Sequence, residues 1–222
     1  MAIRDNFDII REHLNFDNQG DCYYVQLLRR QSDDPMKDGK KDPSYHGNMH
    51  SRSIKDYFIS SFEHYDRVKD EIKTLCEMFN VRAYIRLNKR NYRQISLCLL
   101  KHITDEVYSG ETYASPFHLV SSAAGKANVA GKDKTWIFDE DKEYVPYEDK
   151  IKAMIEQCEP NDVKKCLFTI PTKSGRHIIT RPFNVQKFKT LWAADSELKN
   201  MPCPDMHKDN PTILYVPDAP KI

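Results

Sequence analysis

Two short segments of this chain hold residue types that could do chemistry together. The apolar run Trp136-Ile137-Phe138 ends in Asp139-Glu140-Asp141, and further on comes Pro171-Thr172-Lys173-Ser174-Gly175-Arg176-His177-Ile178-Ile179-Thr180-Arg181. Side chains alternate along a strand, so Asp139 and Asp141 project from one face where the first segment runs out. Hard divalent cations, Mg2+ or Mn2+, favour such oxygens and need few protein ligands, because water and substrate phosphate complete the shell. In the second segment Gly175 and His177 share a face, with Ile179 and Arg181 continuing it. A glycine lets phosphate approach backbone, and Lys173, Ser174, Arg176, His177 and Arg181 supply donors around it. Metal on one side and a cationic cradle on the other is the equipment of phosphoryl or nucleotidyl transfer. Each piece also has a plainer reading: a solvated loop start, an ordinary hairpin turn and a satisfied strand histidine. A third carboxylate helps to close a two-metal site. Asp205, before the terminal apolar run, is the candidate, with Asp209 and Asp218 as alternatives.

Charge is arranged to match. The chain has 222 residues, with 34 Lys and Arg against 33 Asp and Glu, a formal net charge of +1 that argues against coating nucleic acid by charge alone. Arg82 to Thr104 nevertheless holds six cations and no acid, Val163 to Ala194 holds seven and no acid, and Phe138 to Asp162 between them holds nine acids against three lysines. Around a carboxylate pair these blocks read as a split site for metal and phosphate. The six cysteines form no CxxC pair and lie mostly in apolar runs, as buried thiols do. No apolar stretch reaches the roughly 20 residues needed to span a bilayer, and the first residues lack a signal-peptide core. The expectation is a cytoplasmic protein with no membrane partner.

The elements that must position these residues are legible in outline. Residues 5–16 read as a short amphipathic helix, 22–30 as a strand, and 31–50 as a long, polar, mobile loop. Residues 53–60 read as a strand, Ser61 as a helix cap, and 62–79 as a helix with apolar residues at helical spacing. Residues 81–88 alternate, with Ala83, Ile85 and Leu87 on one side and Arg82, Tyr84, Arg86 and Asn88 on the other. That makes a β-α-β unit whose last strand exposes a basic, aromatic and amide face. Residues 91–109 form a helix ended by Gly110, and 111–133 hold a further helix and a Gly/Lys loop. A strand over 134–139, a helix over 146–158, a hairpin of 165–170 with 176–180, a helix from Asn184 to about Ala194 and a strand over 212–216 complete the chain. The class is mixed α/β (α+β): a single domain of two strand-helix modules, 1–110 (RRM-like) and 111–222, meeting at a catalytic cleft.

An apolar strand ending in Asp-x-Asp, then a Ser-Gly-x-His turn and strand, then an Asp before a terminal apolar strand resembles the archaeo-eukaryotic primase superfamily, in its phage and plasmid primase-polymerase form. The resemblance covers roughly residues 134–217. It implies catalytic metals on Asp139 and Asp141, incoming-nucleotide phosphates at Ser174, Gly175 and His177, and a third acid at Asp205. Two positions depart from the family pattern. Glu140 stands where the family has an apolar residue, and the serine lies one place earlier than in a strict Ser-x-His.

The function expected is a metal-dependent nucleotidyltransferase acting on nucleoside triphosphates and single-stranded DNA or RNA. Asp139, Asp141 and His177 would be catalytic, and Lys173, Arg176 and Arg181 would hold the nucleotide. Arg82, Tyr84, Arg86, Asn88 and Arg90 would meet nucleic acid, with a separate helicase as a partner. Two alternatives stand beside it: a catalytically inactive nucleic-acid-binding module of a mobile element, and a metal-dependent nuclease using the same acids.

Overall fold

Residues 3–30, 51–110, 116–126 and 133–217 are described by the structure, a computed structural model. The chain divides into two compact units, residues 1–130 with 213–222 and residues 131–212. The boundary falls after Ala130 rather than after Gly110, because the helix expected beyond Gly110 packs on the helix before it. The expected loop 31–50 and Asp218 lie outside the described residues.

The first unit is built on one sheet. Its elements are β1 (Arg4–Asp5), α1 (Phe7–Arg11), β2 (Asp21–Arg30), β3 (Ser51–Ile59), α2 (Phe62–Phe79), β4 (Arg82–Ile85), β5 (Arg90–Asn91), α3 (Tyr92–Ser109) and α4 (Pro116–Lys126). The sheet order is β1-β10-β4-β2-β3, with β5 on β2, where β10 is the terminal strand Thr212–Val216. Both β3 and β4 run antiparallel to β2, which lies between them. The β-α-β unit expected from the sequence is therefore split by an inserted strand.

Local chemistry sets the helix ends. The Ser61 side chain accepts from the His64 amide at 3.1 Å and starts α2, while Asn91 accepts from Arg93 and starts α3. Gly110 closes α3 at φ 72, a conformation that costs glycine nothing. Cys22 and Tyr24 of β2 pack with Ile95, Ala123 and Ala124 of α3 and α4. On the opposite face Tyr57 donates its hydroxyl to Glu71 of α2 at 3.0 Å. The helix expected over 5–16 is only the five residues of α1.

The second unit carries β6 (Trp136–Asp141), a 3-10 turn (Val145–Tyr147), α5 (Glu148–Glu156), β7 (Cys166–Pro171), β8 (Gly175–Thr180), α6 (Val185–Ala194) and β9 (Met206–His207). Its sheet has the order β7-β8-β6-β9, and each pairing is antiparallel. Phe138, Ile178 and Cys166 on one sheet face pack against Ile151, Met154 and Ile155 of α5 and Phe188 and Trp192 of α6. The molecule is α+β, with six α-helices among the described residues.

Candidate functional site

The register of β6 on β8 decides what the two sequence motifs can do together. Asp139 stands opposite His177, Glu140 opposite Arg176, and Asp141 opposite Gly175. Alternation therefore puts Asp139, Asp141, Gly175 and His177 on one face, and Glu140 and Arg176 on the face that α5 and α6 cover. β9 adds His207 opposite Ile137, on the face of Asp139.

On that face His177 Nε2 lies 3.3 Å from Asp139 Oδ1, with the imidazole side chain 14% exposed and the carboxylate 46% exposed. The hydrogen bond from His177 holds the Asp139 carboxyl below the usual carboxylate range, against the opposing effect of burial; His207 adds a smaller pull in the same direction. An ionised carboxylate only accepts, so the network assigns the ring proton to Nε2. In the neutral ring Nδ1 is then bare, and the hydroxyl of fully buried Thr212, 2.8 Å away, donates to it. The imidazole is held at both nitrogens, with Nε2–H turned toward Asp139.

The turn is shaped by its own chain. Lys173 and Ser174 form the tip, closed by Thr172 N–H donating to the Gly175 carbonyl at 2.9 Å and by Gly175 N–H donating to Thr172 Oγ1 at 3.1 Å. A Cβ on Gly175 would run into the Glu140 carbonyl oxygen and lie 3.0 Å from Asp141 Cα. The sequence reading gave this glycine to a phosphate, but it is the neighbouring strand β6 that uses the space. Ser174 and Arg181 are exposed.

Several expected site residues lie elsewhere. Arg176 is turned to the helix-covered face and pairs with Glu148 of α5, which also accepts from Thr169 and Lys152. It therefore leaves the expected phosphate set, because odd and even positions of a strand cannot share a face. Asp205 is exposed and immediately precedes Met206, whose partner is Phe138. Among the described residues no group of three or more His, Cys, Asp or Glu side chains is arranged to hold a metal ion, so neither Asp205 nor Asp209 completes the expected set. What remains is Asp139 and Asp141 on one face of β6.

The expected nucleic-acid face is also corrected. Arg90 is fully buried, donating from Nε to Ala124 O (2.6 Å), from Nη1 to Asn88 O (2.9 Å) and from Nη2 to Gly125 O (3.1 Å). It clamps the last carbonyls of α4, where helix acceptors lack intrahelical donors. Asn88 is buried, and buried Tyr84 packs with Ile213, Val216 and Leu28, its hydroxyl accepting from Arg30 Nε at 3.0 Å. Arg82 and Arg86 are half-buried. β4 ends at Ile85, so the alternation read across residues 81–88 does not extend to Asn88.

Compared with protein-family models, curated proteins and solved structures, the chain matches none. No helix among the described residues is long and apolar enough to cross a membrane.

Sequence reasoning missed three contributors: Thr212, His207 and Glu148. Thr212 reads as an ordinary strand former opening an apolar run. His207 carried a usable signal, since it lies two residues from Asp205 and so repeats the alternation that picked out Asp139 and Asp141. Glu148 is one of nine acids in its block and nothing local distinguishes it.

Proposed function

We propose that the chain is a metal-dependent nucleotidyltransferase of the primase-polymerase kind, joining nucleoside triphosphates on a single-stranded template. The observation that carries this reading is the cross-strand pair of Asp139 with His177, on the same face as Asp141. Mg2+ or Mn2+ bound there would neutralise developing charge on the transferring phosphate. Asp139 and Asp141 would supply its carboxylate oxygens. His177, fixed by Thr212, would turn Nε2–H from Asp139 to a phosphate oxygen of the incoming nucleotide. Lys173 and Arg181, on or beside the hairpin, would add positive charge, and catalysis would rest on positioning and charge rather than on a protein nucleophile.

The test is strand synthesis on a single-stranded template with labelled nucleotides and Mn2+ or Mg2+. Wild type should extend or initiate a strand, EDTA should stop it, and Asp139→Asn should lower the rate at least about a thousandfold while leaving the fold intact. A wild type that makes no product and binds no nucleotide ends the proposal. Shortened rather than lengthened strands would transfer the same residues to a nuclease.

A further inference from the structure

The outer face of α3 is apolar where a solvated helix would be polar. Of the ten large hydrophobic residues exposed on the described surface, five belong to this one helix: Tyr92, Leu97, Leu100, Val107 and Tyr108. Leu97 and Leu100 are half or more exposed, Val107 is 65% exposed and Tyr108 is 94% exposed. The helix packs on its own sheet through the other side, with Ile95 buried and Cys98 and Leu99 against Cys22 and Tyr24.

The spacing of the outer residues is that of a helix-pairing seam. Leu97, Leu100, Thr104 and Val107 follow one another at intervals of three, four and three, with Tyr108 beside them. Thr104 fits such a seam because its hydroxyl is bonded to the Leu100 carbonyl at 2.9 Å, which leaves its methyl facing outward.

We infer that this face is where two copies of the chain associate, their α3 helices packing antiparallel about a two-fold axis near Thr104. The stripe is complementary to itself. Reversed about Ile103–Thr104, Leu100 of one protomer comes level with Val107 of its partner, Leu97 falls within a turn of the partner's Tyr108, and the small Thr104 residues meet at the centre. The charges on the edge also match under that operation. Lys101 of one protomer comes within one residue of level with Asp105 of its partner on the same side of the seam, and the pair occurs twice. A nucleic acid is a poor match for this face, because its middle is hydrocarbon and one edge carries Asp105. The two helices overlap over only about 18 Å, a small contact, so association is weak and depends on concentration.

Sedimentation velocity of the full chain from low to high micromolar concentration tests this. Wild type should pass from monomer to dimer. Leu100→Lys, at an exposed position, should keep the helical circular dichroism and abolish the dimer. Lys101→Glu and Asp105→Lys should each weaken the dimer about three- to tenfold by placing like charges opposite one another, and the double variant should regain wild-type affinity. That recovery is specific to a two-fold copy, since another partner would not carry the compensating charge. A wild type that stays monomeric throughout overturns the inference, as does a dimer indifferent to Leu100→Lys or a double variant as weak as the single ones. A monomeric wild type that binds a fluorescent oligonucleotide through this face would likewise overturn it.

Discussion

Glu140 lies between two site acids in sequence, yet its side chain belongs to the opposite face of β6. It is 0% exposed, and neither carboxylate oxygen meets a hydrogen-bond donor among the described residues. Burial pushes its carboxyl above the ordinary range, with Arg176 and Lys152 pulling the other way. A group whose folded pKa is raised is most favourable to the fold below its unfolded pKa, and that contribution is lost as pH rises through the folded value. Glu140→Gln should therefore raise stability at neutral pH, by on the order of 1 kcal/mol, and the advantage should shrink as the pH falls toward 4. Urea denaturation at several pH values measures it, and an equal effect at every pH would show that ionisation of Glu140 is not involved. Asp139 has the opposite sign. Its depressed pKa favours the fold above the unfolded value, and that contribution is lost on acidification through the folded one. The proton assignment at His177 is separately testable. With the ring in its neutral form, Nδ1 should give the 15N resonance of an unprotonated ring nitrogen, and Thr212→Val should move that resonance while Thr212→Ser preserves it. Gly175 shows what spacing alone leaves hidden. Its type and position were readable, but the reason for them, the approach of the Glu140 carbonyl, depends on a strand more than thirty residues away.

Helix and strand ends were legible where a single side chain determines them. Ser61, Asn184 and Gly110 act at the α2, α6 and α3 ends where the residue types point, because capping is local chemistry. The hairpin of β7 and β8 was legible for the same reason, as apolar runs on either side of a short polar turn. The two-residue strands β5 and β9 and the insertion of β2 between β3 and β4 were not, since pairing between distant segments leaves no periodicity in either. Arg90 was misread because a cluster of cations looks alike whether it faces water or carbonyls. Its clamp on α4 makes a prediction that separates the two roles. Arg90→Met should destabilise the first unit by about 3 kcal/mol, leaving two buried carbonyls and one half-buried carbonyl without their charged donor. Arg90→Lys should recover little, because one ammonium cannot span acceptors on Asn88, Ala124 and Gly125. If both variants instead keep wild-type melting behaviour and lose only nucleic-acid affinity, the clamp is not what holds this helix.

For the molecule as a whole, the two units are not two halves of the sequence. The last strand, β10, joins the first unit's sheet, seated between β1 and β4, after the chain has built the second unit. Residues 213–216 are all buried there, Leu214 completely, and the strand pairs antiparallel with Arg4 and Asp5. Asn6 donates from its amide to Leu214 O and from its side chain to Ile213 O, and Tyr215 donates its hydroxyl to Glu77 of α2 at 2.8 Å. At roughly 1.5–3 kcal/mol for each buried apolar side chain, removing Ile213, Leu214, Tyr215 and Val216 costs as much as the whole net stability of an ordinary domain. Deleting residues 213–222 should therefore unfold the first unit, although every other residue of that unit remains. The deletion keeps Thr212, the partner of His177, so the β6–β8 strand pair and the Asp139–His177 pair keep the groups that hold them. Hydrogen exchange read by mass spectrometry should show protection lost in β1, β4 and α2 and kept in β6, β7 and β8. Retained protection in β1 and β4 would mean that the first sheet is stable without its terminal strand. Loss across β6–β8 as well would mean that the second unit depends on the first for its stability, and the pair that carries the catalytic reading would then be as fragile as the strand removed.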